Sequence, residues 1–93
     1  MPVERPSRDL VYDPQFNADL LHWITTQPRV AARIMERVEA VRRDPFGGSG
    51  KPEPLKGVGP NTWSRRINDE HRLVYSFTAT EVVIISCRYH YAP

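Results

Sequence analysis

Apolar residues recur at helical spacing in the first half of this chain and alternate with polar ones in the second. Residues 9–13 (Asp-Leu-Val-Tyr-Asp) form a short apolar run bounded by acids and read as a strand. Asp13-Pro14 then makes a helix start, with an aspartate to cap and a proline whose fixed φ suits the first helical position. Phe16, Leu20, Trp23 and Ile24 fall on one face of that helix. Gln27-Pro28 opens a second helix with the stripe Val30, Ile34, Val38 and Val41, widened by Ala31 and Met35. Arg29, Arg33, Arg37, Glu36 and Glu39 face mostly outward, and Pro45 and Gly47 stop the helix. Residues 46–60 are rich in glycine and proline and read as a loop. Three strands are expected at 62–68, 71–78 and 81–91, with hairpin turns at Asp69-Glu70 and at 78–80. This order predicts an α+β fold, with two N-terminal helices packed on one face of a small, twisted antiparallel sheet.

Strand parity refines the picture, because successive side chains point to opposite faces of a sheet. Leu73, Tyr75 and Phe77 mark the core face of the middle strand, leaving Arg72, Val74 and Ser76 on the other. On the first of the three strands Trp63 and Ile67 point to the core, and Ser64 and Arg66 away. On the last, Val83, Ile85, Cys87 and Tyr89 are expected in the core, with Val82, Ile84, Ser86, Arg88 and His90 opposite. In the absence of bulges, Arg66, Arg72, Arg88 and His90 share the face that the helices leave open, a cationic floor suited to phosphate.

Composition adds limits. The 93 residues suit a single domain with a modest core. Residues 1–8 are polar and proline-bearing and read as a disordered arm, and 9–93 as the domain. The net charge is only +2, which by itself does not imply nucleic-acid binding. Its distribution says more: residues 1–50 carry seven basic and seven acidic side chains, residues 51–93 six and four. The single cysteine, Cys87, allows no internal disulfide and reads as a buried thiol. No apolar run approaches the roughly 20 residues that span a bilayer, so no membrane partner and a cytoplasmic location are expected.

Gly47-Gly-Ser-Gly-Lys51 superficially suggests a nucleotide-binding loop, but Pro45 replaces the early glycine, Pro52 follows the lysine, and a helix precedes the motif. The three histidines and one cysteine lack metal-ligand spacing, so no metal or cofactor is expected. His22 and His71 read as structural or solvated, with His71 on the core side near a turn. Arg65, Arg66 and Arg72 have an ordinary reading as surface charges paired with Asp69 and Glu70. Glu53 has one as a solvated loop carboxylate and His90 as a surface group. The shared parity of the cations favours chemistry instead. Glu53 sits on a loop stiffened by Pro52 and Pro54, between Lys51 and Lys56. Histidine titrates near neutrality and arginine grips phosphate. A carboxylate base, arginines and a histidine acid are the parts needed to cleave RNA through its own 2′-hydroxyl, which requires no metal.

Four segments also resemble a known family. Gly50-Lys-Pro-Glu-Pro-Leu-Lys56, Trp63-Ser-Arg-Arg-Ile67, Glu70-His-Arg-Leu-Val-Tyr75 and Cys87-Arg-Tyr-His-Tyr91 closely resemble the YoeB family of bacterial toxins, in the RelE superfamily. The resemblance implies a microbial ribonuclease-like fold. It implies an endoribonuclease that cuts mRNA in the ribosomal A site, giving a 2′,3′-cyclic phosphate end and stopping translation. It also implies a YefM-type antitoxin partner, a homodimer, and contact with operator DNA only through the toxin–antitoxin complex. By position, Glu53 corresponds to the general base, His90 to the general acid, Arg72 to the transition-state arginine and Tyr91 to a substrate-orienting tyrosine. Arg66, Lys51 and Lys56 correspond to phosphate-binding positions, to which parity adds Arg88. Two features depart from the family: Ala92-Pro93 follow the tyrosine at which it characteristically ends, and residues 1–8 are extra. Two rival functions share the fold: a non-catalytic gyrase inhibitor like the ParE toxins, and a simple RNA-binding module.

Overall fold

The computed structural model describes residues 8–89. Strand β1 (Asp9–Tyr12) leads into helices α1 (Pro14–Thr26) and α2 (Pro28–Arg43), and then into β2 (Glu53–Pro54), β3 (Thr62–Arg66), β4 (Arg72–Phe77) and β5 (Glu81–Ser86). The sheet order is β1-β5-β4-β3-β2. Every pairing is antiparallel except that of β1 with β5, which is parallel and joins the start of the domain to its last strand. Parallel neighbours need a long crossover, and here the helices and three strands intervene between the two.

The helix signals act as expected. The Asp13 carboxylate accepts the Gln15 N–H at 2.8 Å, and Pro14 occupies the first turn. Gln27 closes α1 by donating its N–H to the Trp23 carbonyl and opens α2, again followed by proline. Ala31, Ile34, Val38 and Val41 are buried, and Arg42 and Arg43 lie in the last turn, where cations suit the helix dipole. Two apolar assignments do not hold: Ile24 is 51% exposed and Met35 40%. The face of α1 is set by Phe16, Asp19 and Trp23. Ile24, one residue past Trp23, lies about 100° around the helix from it. In its place a charged residue, Asp19, is buried.

Strand β5 carries the main departure. Val82 and Ile84 are fully buried, whereas Val83 and Ile85 are only partly so, the reverse of the expected parity. The register explains this. Phe77 pairs with Val82 and Tyr75 with Ile84, but Val74 pairs with Ser86, so Ile85 is an extra residue in a β-bulge. The bulge shifts the alternation by one and returns Cys87 to the core, where it is fully buried. The strand stops at Ser86, well before the expected residue 91. Tyr89, expected in the core, is 60% exposed with φ +67°, in the left-handed region.

The 62–68 strand is also shorter, because Asn68 begins a turn. Its side-chain oxygen accepts the N–H groups of Glu70 and His71, and Ile67 donates its N–H to the His71 carbonyl. The core lies between the helices and the inner strands around Phe16, Trp23, Ile34, Val38, Tyr75 and Ile84. Ahead of β1, Arg8 donates to the Thr78 carbonyl at 2.7 Å; the other residues of the expected arm, 1–7, lie outside the described residues.

Candidate active site

The segment containing Glu53 is short but structured. Glu53 pairs with Ser64 and Pro54 with Trp63, so residues read as pure loop form a two-residue edge strand. An edge is where flanking prolines are tolerated, since the missing N–H is not needed by a further strand. Cross-strand partners share a face. Glu53 therefore lies with Ser64 on the face away from the helices, and the pairing of Arg66 with Arg72 places both arginines there too.

Arg72 joins these groups. Its Nη2 lies 2.9 Å from Glu53 Oε1, and its Nε donates to Ser64 Oγ at 2.8 Å. Nη2 also reaches the Ser64 and Lys51 carbonyls at 3.4 and 3.5 Å. Only 14% of the Arg72 side chain is exposed, against 60% for Glu53. The guanidinium is thus a fixed support and the carboxylate an accessible group resting on it. Arg66 is more exposed and is ion-paired with Asp69, as its ordinary reading held. Lys51 is exposed, in the left-handed region at φ 50°, and Lys56 is exposed two residues beyond β2. The Arg88 guanidinium lies over the Tyr89 ring, 4.9 Å from its centre.

His90 and Tyr91 lie outside the described residues, but the backbone leading to them is held closely. The Cys87 N–H is accepted by Asp19 Oδ2 at 3.0 Å, and the Cys87 carbonyl accepts from Trp23 Nε1 at 2.9 Å. The Tyr89 N–H is accepted by His71 Nδ1, and the Tyr89 carbonyl accepts from the Arg72 N–H at 3.2 Å. His71 is buried edge-on to Trp23, with ring centres 4.6 Å apart. It is structural, as its position near the turn suggested. Asp19, Trp23 and His71 therefore form a bracket around the approach to His90. Sequence reading missed Asp19 and the bracket, although Asp19 sits at helical spacing from Phe16 and Trp23. Burial, and secondarily the charge of Asp19, pushes the Cys87 thiol up to about 12.

Arg65 was also misread as a surface charge. It is fully buried, on the same parity as Trp63 and Ile67. It donates to Tyr75 Oη at 3.3 Å and to the carbonyls of Asp44 and Ser49. It thus ties the segment entering the Gly50–Glu53 stretch to the core.

Comparison with known proteins decides the family. The model describing a YoeB-like toxin of the bacterial type II toxin-antitoxin system matches residues 12–91. The chain belongs to that family. Toxin YoeB of Escherichia coli (strain K12) is 46% identical over 82 residues, covering 88% of this chain and 98% of that protein. The YoeB dimer from Staphylococcus aureus superposes with a TM-score of 0.82 at 35% identity, covering 91% of this chain and 99% of that one. YoeB in the YoeB–YefM complex of the same organism gives 0.78 at 35% identity, covering 90% and 98%. This YoeB-family chain is accordingly a toxin of a type II toxin–antitoxin system, with the α+β fold of its relatives.

Proposed function

We propose that this toxin is a ribosome-dependent mRNA endoribonuclease that cuts in the A site and stops translation. The observation that carries the reading is the Arg72 guanidinium, which holds the Glu53 carboxylate at 2.9 Å on the open face of the sheet. Glu53 takes the proton from a 2′-hydroxyl, and the freed oxygen attacks the adjacent phosphorus. Arg72 and Arg66 stabilise the charge that builds on the phosphorane. The bond to the 5′-oxygen breaks, and His90 gives that oxygen its proton, leaving a 2′,3′-cyclic phosphate and a 5′-hydroxyl. Tyr91 orients the substrate, and Lys51, Lys56 and Arg88 supply positive charge along the strand. Glu53 and Arg72 do not need to separate for this, because the arginine keeps further N–H groups for phosphate.

The partners follow from the relatives. A YefM-type antitoxin neutralises the toxin, by likeness to the Staphylococcus aureus complex, and the free toxin is a homodimer, by likeness to the dimer from that organism. Operator DNA is met only through the antitoxin complex, and the site of action is the cytoplasm.

Mapping of mRNA 5′ ends after brief induction tests the reading. The unmodified chain should give cuts phased with the reading frame. Glu53→Gln or His90→Gln should lower cleavage by about 10²–10⁴-fold, the usual contribution of a general base or acid, and relieve growth arrest. If both variants remain fully toxic, cleavage is not the function. DNA damage without cut mRNA would point instead to gyrase inhibition.

A further inference from the structure

A second basic feature lies beside the Glu53–Arg72 pair. Where the end of β3 meets α2, a cleft of about 420 Å³ is lined by Arg33, Arg37, Lys51, Arg66, Asn68 and Asp69. Its volume falls within the roughly 300–1,000 Å³ of ligand pockets, although its walls are cationic rather than apolar. Four cations face one carboxylate, Asp69.

Two of those cations were expected simply to face outward, yet each is held in place. Arg33 Nη1 donates to the Ile67 carbonyl at 3.2 Å. Arg37 Nε donates to the Arg66 carbonyl at 3.1 Å, and its Nη1 to Ser49 Oγ at 3.3 Å. These acceptors are neutral, so they position both guanidiniums without cancelling the charge. The loop is shaped to the same end. Gly50 has φ +89°, and a Cβ there would come within 2.9 Å of the Arg66 carbonyl oxygen and 3.0 Å of Arg37 Nε. Glycine lets the backbone close against the arginine, and its carbonyl accepts the Arg66 N–H at 2.7 Å. The cleft is continuous with the pair: Lys51 lines it while its carbonyl accepts from Arg72, and Arg66, which also lines it, is the cross-strand neighbour of Arg72.

We infer that this cleft is a subsite for the sugar-phosphate backbone of an RNA strand, taking a nucleotide that flanks the bond placed at Glu53 and Arg72, with Arg33 and Arg37 as its phosphate ligands. The inference rests on the RNA-cleaving reading of the neighbouring pair. An acidic peptide would meet the same charge, but contiguity with a site built for phosphodiesters favours RNA. The position of Arg33 and Arg37 on α2, four residues apart, presents both to one strand.

The test is the salt dependence of binding a short 2′-O-methyl RNA, which cannot be cut and so reports binding alone. Each phosphate neutralised on a single strand contributes about 0.7 to the slope of log K against log salt. Arg33→Gln/Arg37→Gln should flatten that slope by about 1.4 and Arg33→Gln alone by about 0.7. Arg33→Lys/Arg37→Lys should keep it, and Arg29→Gln, on the same helix but outside the cleft, should leave it unchanged. If the double glutamine variant does not fold, the single variant decides. An unchanged slope in Arg33→Gln, or an equal loss in Arg29→Gln, overturns the inference. So does loss of binding to a glutamate-rich peptide with RNA binding intact. Should Glu53→Gln remain toxic while the slopes change as stated, the cleavage reading fails and the subsite stands.

Discussion

Arg65 shows how one residue links the core to the site. A buried guanidinium is costly unless its donors are met, and here they meet a phenol and two backbone carbonyls. The phenol is itself anchored, since Tyr75 Oη donates to the Pro45 carbonyl at 2.7 Å. Burial raises the pKa of that phenol, partly offset by Arg65. The whole arrangement fixes residues 44–49 just before Gly50, and so sets where Lys51 and Glu53 can lie. Arg65→Met should therefore destabilise the fold by about 3 kcal/mol, because it removes a set of charged hydrogen bonds made by a fully buried side chain. Lysine should recover little, since one ammonium cannot reproduce the planar fork. Its neighbour is the contrast: Arg66 is exposed and paired only at the surface, so Arg66→Gln should shift stability by no more than about 0.5 kcal/mol. Urea unfolding of the two variants separates them, and equal midpoints would show that Arg65 anchors nothing.

At the scale of elements, the decisive piece is the end of β5. The bulge at Ile85 and the stop at Ser86 send the chain off the sheet, where Asp19, Trp23, His71 and Arg72 grip it. His71 presents Nδ1 to the Tyr89 N–H as the acceptor of that hydrogen bond. His71→Asn keeps an acceptor near the Nδ1 position, whereas His71→Leu removes it. The leucine variant should lose amide-exchange protection at Tyr89 and, on the proposed reaction, about 10²-fold in kcat with KM little changed, as expected when a reacting group is misplaced by a fraction of its length. The asparagine variant should recover both. Equal activity in the two would mean that the bracket does not position the site. Why this was invisible in sequence is physical. The helix starts at Asp13-Pro14 and Gln27-Pro28 and the stripe of α2 are local signals, and they hold. So does the open-face grouping of Ser64, Arg66 and Arg72, because β3 and β4 pair without interruption. A bulge is a property of two strands in register, and nothing local in Val-Val-Ile-Ile-Ser marks which residue is the extra one. The buried positions of Asp19 and Arg65 follow their spacing, but a charged side chain argues against the core until its partners are known.

Across the whole molecule, the two ends of the domain meet in the sheet. β1 lies beside β5, which lies beside β4, so the last strand is flanked on both sides while β2 is left at the opposite edge next to the open face. Covering one face with helices and leaving the other to arginines divides the protein into an apolar, packed side and a cationic side. Cys87 sits at the inner end of this arrangement, its backbone tied to both Asp19 and Trp23. With the thiol raised from 9.0 to about 12 by burial, it is neutral in the folded protein at any ordinary pH and unreactive as a nucleophile. The same shift makes it a sensor of global unfolding in alkali. Below pH 9 the thiol is protonated in both states and contributes no pH dependence. Between about pH 9 and 12 the unfolded thiol has lost its proton and the folded one has kept it, so unfolding is favoured as pH rises. The stability lost through this group should approach about 1.4 kcal/mol per pH unit within that window. Other groups titrate there too, so the comparison is with Cys87→Ala. That variant starts less stable, having lost a buried sulfur, but its stability should fall less steeply above pH 9. Chemical unfolding of both proteins at several pH values up to about 11 measures the difference in slope. Parallel curves would mean that the thiol is not held neutral by the core, and that the packing around the end of β5 opens more readily than four backbone hydrogen bonds imply.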